Sequence, residues 1–161
     1  MSEQPSVRQE QEIEAVVSLR EITEETVLHI CGLSNTLLEE QHKMVAPNSI
    51  SIAQAHFSET AWFRAIYASE EPVGFIMLAD NAEEQSYYLW RFMIAGPHQG
   101  KGHGRRAIEL LIEYVETRPG AKELRASYVP MEGGPEGFYR KLGFEPTGEV
   151  HGGEVEVRLA L

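Results

Sequence analysis

Gln99-Gly100-Lys101-Gly102-His103-Gly104 is the stretch whose residue types and spacing bear most directly on chemistry. It follows an aromatic run, Tyr87 to Ile94, that reads as a strand, and precedes a helical pattern from Arg105 to about Arg118. A glycine-rich turn between strand and helix presents unpaired backbone N–H groups, and the helix dipole adds partial positive charge at the same place. Such a turn can hold the pyrophosphate of a cofactor. A P-loop is excluded, because three residues rather than four separate Gly96 from Gly100, and Lys101 is followed by Gly102 rather than Ser or Thr. Gly102-x-Gly104-x-x-Ala107 does fit a dinucleotide-binding pattern. That pattern belongs at the end of the first strand of a parallel sheet, with an acid at the end of the next strand. Here the turn lies in mid-chain, and the next strand ends at Val129-Pro130. A turn shaped for tight packing alone is the remaining alternative, although closely spaced glycines cost chain entropy.

The elements that must position this turn can be taken in chain order. Met1 to about Glu14 is rich in Glu, Gln and Ser, and is expected to be a flexible lead ahead of a single domain over 15–161. Val16 to Ile22 alternates as a first strand, and from Thr23 a helical pattern puts Val27, Ile30, Cys31 and Ser34 on one face. Leu37 to Lys43 reads as neither helix nor loop by pattern. Ala46 to Ser49 suggests a loop with Ser49 as N-cap of a helix from Ile50 to about Phe57. Trp62–Ala68, Val73–Ala79 and Tyr87–Ile94 then form three strands joined by polar turns, an antiparallel meander. After the glycine turn, Ala107, Leu110, Leu111, Tyr114 and Val115 repeat at helical spacing, and Arg118-Pro119-Gly120 stops the helix. Leu124–Val129 is expected to run parallel to the strand before it, because a helix crosses between them. Pro135–Leu142 reads as a short helix closed by Gly143. Phe144–Val150 and Glu154–Leu161 read as a hairpin about His151-Gly152-Gly153. The order βααβββαβαββ is a mixed α/β (α+β) domain.

The totals exclude several classes. A length of 161 residues suits one core. A formal charge of -11 disfavours nucleic acid, whose phosphates would be repelled. No apolar run approaches the roughly 18 residues of a membrane span, and Glu3, Glu10, Glu12 and Glu14 are unlike a signal peptide. Cys31 is the single cysteine, so no internal disulfide can form and the reducing cytoplasm is the expected address.

Gln99-x-x-Gly102-x-Gly104 after a strand, with Phe138-Tyr139-Arg140-Lys141-Leu142-Gly143-Phe144 downstream, resembles the GNAT superfamily of acetyl-CoA-dependent N-acetyltransferases. The resemblance implies a mostly antiparallel sheet with a central splayed parallel strand pair and helices on both faces. It implies acetyl-CoA as cosubstrate and no metal. Backbone N–H groups from Gly100, Lys101, Gly102, His103, Gly104 and Arg105 would cradle the CoA pyrophosphate, beside Gln99. Phe92, Met93 and Ile94 would pair through their backbone with the pantetheine arm. Val45-Ala46-Pro47-Asn48-Ser49, Leu89-Trp90-Arg91-Phe92-Met93-Ile94, Ser127-Tyr128-Val129-Pro130 and Pro146-Thr147-Gly148-Glu149-Val150 are similar to the bacterial spermine/spermidine acetyltransferase branch.

Acetyl transfer needs a neutral amine, a stabilised oxyanion and a proton for the leaving thiolate. By the resemblance, Tyr139 is the general acid, and a backbone N–H near Phe92 to Ile94 meets the oxyanion. Relatives usually have Asn and Ala seven and four residues before that tyrosine, where this chain has Glu132 and Pro135. Glu132 therefore stands at a cofactor-contacting position, where it could instead face the amine or only solvent. Glu83 and Glu84, or ordered water, are the candidates for the base. Glu39, Glu40 and His42 lie in the segment that often roofs the acceptor pocket, with Trp90 as a wall. An acidic and aromatic site would suit a polyamine. The readings are an N-acetyltransferase acting on a primary amine with a polyamine as first acceptor, one acting on an amino-sugar antibiotic or a protein N-terminus, and a non-catalytic acyl-CoA-binding regulatory domain. Dimers are frequent among similar proteins, so a homodimer is expected.

Overall fold

The computed structural model describes residues 14–161, so the lead expected over 1–14 lies, Glu14 apart, outside the described residues. The strands are β1 (Val17–Arg20), β2 (Ala61–Ala68), β3 (Glu71–Asn81), β4 (Ser86–Ile94), β5 (Glu123–Tyr128), β6 (Glu145–His151) and β7 (Glu154–Ala160). The helices are α1 (Val27–Gly32), α2 (Glu39–His42), α3 (Asn48–His56), α4 (His103–Glu116) and α5 (Glu136–Lys141), with short 3-10 turns at Leu33–Thr36 and Gly96–His98. One seven-stranded sheet runs in the order β1-β2-β3-β4-β5-β7-β6, antiparallel except where β4 meets β5. This is the mixed α+β arrangement expected.

Alternation along β3 explains why the sheet is covered on both faces. Val73, Ile76 and Leu78 point to a core completed by Ala107, Ile108, Leu111 and Val115 of α4 and by Tyr139 of α5. Phe75 and Met77 point the other way, to Ile30 of α1, Leu33 and Ala55 of α3. A strand buried on both faces reads as a continuous apolar run, as Val73–Ala79 does.

Several boundaries differ from expectation. Helix α3 begins at Asn48, not after a Ser49 cap, because Asn48 is fully buried and its side-chain nitrogen donates to the Ile30 carbonyl at 2.8 Å. The ambiguous segment contains the single turn α2. Asp80 belongs to β3 rather than to a turn. Its carboxylate accepts from Tyr114 Oη at 2.6 Å and from Arg118 Nε at 3.0 Å, fastening the far end of α4 to the sheet. Burial, followed by the bond to Asp80, pushes the Tyr114 phenol up to about 12.

A bulge sets the shape of the site. Met77 pairs with Arg91 but Leu78 pairs with Leu89, so Trp90 is an extra residue on β4. Such an insertion bends its strand and increases the local twist. The parallel pairing with β5 stops at the same place, at Tyr88↔Arg125 and Leu89↔Ala126. Beyond Leu89 the two strands diverge, and the end of β4 has no neighbour on that side.

Candidate active site at the splayed strand pair

A cleft of about 860 Å³ opens where β4 leaves β5. Phe92, Met93, Ile94, Gln99, Gly100, Gly102, His103, Gly104 and Arg105 line it, together with Trp90 and Tyr139. Lys101, Glu132, Glu39 and Glu40 do not line it, nor do Glu83 and Glu84. Glu40 instead pairs with Lys43 at 3.2 Å on an exposed surface.

The glycines have separate physical reasons. Gly102 is the N-cap of α4 with φ +83°, a left-handed conformation that costs other residues about 1–2 kcal/mol. A Cβ at Gly100 or Gly102 would meet nothing within 4 Å, so both leave backbone open to a ligand. Gly104 is needed for closeness, since a Cβ there would lie 3.2 Å from Phe92 and 3.6 Å from Phe138. Those two rings stack with centroids 5.7 Å apart. No side chain caps α4, and its first backbone bond runs from the Arg106 N–H to the Gly102 carbonyl at 3.2 Å. The N–H groups of His103, Gly104 and Arg105 are left for an anion. Burial, with His98 and Lys101 nearby, lowers the His103 pKa.

The edge of β4 has a defined polarity. The Ala95 N–H donates to the Val73 carbonyl at 2.8 Å, so the Ala95 and Met93 backbones face β3. The alternate residues Phe92 and Ile94 face the gap. The backbone pairing expected of Phe92, Met93 and Ile94 thus has only Phe92 and Ile94 available, and Met93 contributes its side chain. Gln99 Nε2 donates to the Ile94 carbonyl at 2.8 Å, tying the glycine turn to the strand. Gln41 of α2 donates to Gln99 Oε1 at 2.9 Å, and its own Oε1 accepts from the Leu38 N–H at 3.0 Å. Gln41 therefore joins the roof of the cleft to its glycine turn, a contact that no sequence pattern marks.

Tyr139 is buried among Tyr128, Phe138 and Phe144, with ring centroids 6.1, 5.5 and 5.3 Å away. Burial, and secondarily Tyr88, raises its pKa well above the ordinary range of a phenol. The hydroxyl is therefore protonated at any working pH, as a proton donor must be. Arg91 is half-buried in the cleft wall and donates to Gln54 Oε1 at 3.2 Å, while its Nε has no partner. Tyr88, Arg91, Ser127 and Glu154 also line the cleft, and the sequence pattern assigns none of them a role.

The donor set suits a CoA thioester. It offers helix N–H groups for a pyrophosphate and an open strand edge for an amide-bearing arm. Among the described residues no group of three or more His, Cys, Asp or Glu is placed to hold a metal, and no helix is long and apolar enough to cross a membrane. A family model described as "Acetyltransferase (GNAT) family" matches residues 34–144, more than half of the sequence. The chain belongs to the GNAT acetyltransferase family. It is an acetyl-CoA-dependent acetyltransferase. No curated protein matches the sequence. Similar solved structures include a GNAT family acetyltransferase from Elizabethkingia anophelis with acetyl-CoA bound, at 13% identity and TM-score 0.67 over 93% of this chain and 100% of that one. Another is spermidine N-acetyltransferase from Vibrio cholerae, described as dodecameric, at 18% identity and TM-score 0.66 over 89% and 93%. A third is N-acetylglutamate synthase from Neisseria gonorrhoeae with coenzyme A and N-acetyl-glutamate, at 19% identity and TM-score 0.69 over 92% of this chain and 36% of that one. At these identities the likeness is one of fold, and the fold hosts more than one acceptor.

Proposed function

We propose that this GNAT enzyme moves the acetyl group of acetyl-CoA to the primary amine of a small acceptor by direct attack, with a polyamine as the first acceptor to test. One observation carries the reading: the open β4 edge, the free N–H groups of α4 and the protonated Tyr139 hydroxyl share a single cleft. Bound in that cleft, acetyl-CoA supplies an activated acyl carbon. Phe92 would orient the thioester through its backbone, and an N–H there would meet the oxyanion of the tetrahedral adduct. Tyr139 would give its proton to the thiolate as the C–S bond breaks, and the departing amine proton would restore the phenol. His103, Gly104 and Arg105 would hold the pyrophosphate, with Gln99 fixing the turn. Lys101 and Glu132 would at most touch the cofactor from outside the cleft.

Support for a polyamine comes from the resemblance of four segments to the spermine/spermidine branch, and from Trp90 in the cleft wall. Glu39 and Glu40 do not contribute to that support, because they lie off the cleft. We include a homodimer and a cytoplasmic address in the working description; light scattering and fractionation test them. Thiol release from acetyl-CoA with spermidine, spermine, an aminoglycoside and a peptide N-terminus tests the function. Turnover fastest with a polyamine supports the reading in full, and turnover with another amine moves the acceptor. Acetyl-CoA binding without turnover of any amine would favour a non-catalytic acyl-CoA-binding domain.

A further inference from the structure

An ammonium entering this cleft must lose a proton before its nitrogen can attack, and the candidates expected from sequence, Glu83 and Glu84, are elsewhere. Among the described residues that line the cleft there is one carboxylate, Glu154. The remaining charged groups there, Lys43, Arg91 and Arg105, are cations. Glu154 opens β7 and projects from the same face of the sheet as Ser127 of β5. The pairing Ser127↔Glu156 places Glu154 two residues along, on the diagonal.

Ser127 Oγ donates to Glu154 Oε2 at 3.2 Å. The Tyr88 hydroxyl of β4 is hydrogen-bonded to the same Ser127 oxygen. A serine hydroxyl has a single proton, and here the carboxylate takes it. Tyr88 must then be the donor to Ser127, which gives the chain a direction, from the cleft to Glu154. The lone pairs of the Tyr88 oxygen remain to accept a proton. Tyr88 and Tyr139 line the same cleft, so the chain and the proton donor face one space. Burial raises the Tyr88 pKa as well, which suits a phenol that passes a proton on rather than one that stores charge.

We propose that Glu154, reached through Tyr88 and Ser127, receives the proton of the acceptor ammonium. The inference rests on the amine acetyltransferase reading above. As the ammonium N–H bond breaks, its proton goes to Tyr88 Oη, the Tyr88 proton to Ser127 Oγ, and the Ser127 proton to Glu154 Oε2. The freed lone pair forms the bond to the thioester carbon. Glu154 is exposed and returns its proton to water. Around it stand Ser127, Tyr88 and Arg91, Glu156 of its own strand and His151 across the hairpin.

The test compares spermidine, an ammonium at neutral pH, with trifluoroethylamine, which is already neutral there. Glu154→Gln and Tyr88→Phe are expected to lower kcat/KM for spermidine about 100-fold at neutral pH, with recovery as pH rises. The same variants should change kcat/KM for trifluoroethylamine less than about threefold, and Glu154→Asp should restore part of the spermidine rate. Acetyl-CoA binding by calorimetry verifies that each variant is folded. Equal losses for both amines, or an unchanged spermidine rate in Glu154→Gln, would overturn the relay while leaving the acetyltransferase reading intact. A wild-type chain that binds acetyl-CoA but turns over no amine, the aminoglycoside and the peptide N-terminus included, would overturn that reading, and the relay with it.

Discussion

The end of the cleft proposed for the donor, from Phe92 to Arg105, is made largely of backbone, whereas the end proposed for the acceptor is made of side chains carried by α2, β4, β5 and β7. At the donor end the groups that matter are N–H and C=O groups, exposed by a bulge, a glycine turn and an uncapped helix start. At the acceptor end Gln41, Tyr88, Arg91, Ser127 and Glu154 converge from positions up to 113 residues apart, from Gln41 to Glu154. Backbone groups are the same in any sequence that adopts the turn, so the donor end can stay constant while acceptors vary. Changing a side chain at the other end leaves the donor end untouched. Substitutions at the donor end should accordingly affect every acceptor alike, and those at the acceptor end should discriminate between amines.

The largest effect is expected where the two ends meet. Tyr139→Phe should lower kcat between tenfold and 100-fold for every amine while acetyl-CoA binding stays within about twofold, as calorimetry with stopped thiol release would show. Because the Tyr139 pKa is raised, its acidic form persists, so kcat should show no alkaline fall from this group below about pH 10. An unchanged kcat would remove Tyr139 from the acid role. Next comes Gly102→Ala, which puts a Cβ at φ +83° into open space. The strain of about 1–2 kcal/mol should weaken acetyl-CoA about tenfold with no change in the ranking of amines. A changed ranking would show that the two ends are not separable.

Gln41 and Gln99 join the ends, and their loss should matter less. Gln41→Leu forfeits hydrogen bonds of about 1 kcal/mol net, which corresponds to roughly fivefold in kcat/KM. A double-mutant cycle with Gln99→Leu should return a coupling of about 0.5–1.5 kcal/mol, and a zero coupling would make the contact incidental. Smallest of all, Glu39→Gln and Glu40→Gln should change the acceptor KM less than twofold, as exposed charges away from the cleft should. A larger change would return α2 to the acceptor site.

What was legible followed the same division. The meander, the glycine turn and the amphipathic α4 announce themselves by local period and by glycine spacing, and these position the donor end. Element ends shifted by a residue or two where tertiary bonds decided them, as at Asn48 and Asp80. The bulge at Trp90 left no mark in an apolar, aromatic strand, because an inserted residue is visible only against its partner strand. Pairing of β4 with β3 decides that Phe92 and Ile94, and not Met93, turn their backbone to the gap. Glu39 and Glu40 looked like acceptor acids because of their type, yet one turn of helix placed them on solvent.

By itself the sequence determined the element order apart from α2, the glycine turn and the aromatic motif that carries Tyr139, since each depends on neighbours within a few residues. Tertiary structure alone decided which carboxylate enters the cleft, which backbone groups of β4 are free, and that Gln41 reaches Gln99. Those outcomes depend on sheet register and strand order, and a shift of one residue moves a side chain to the opposite face.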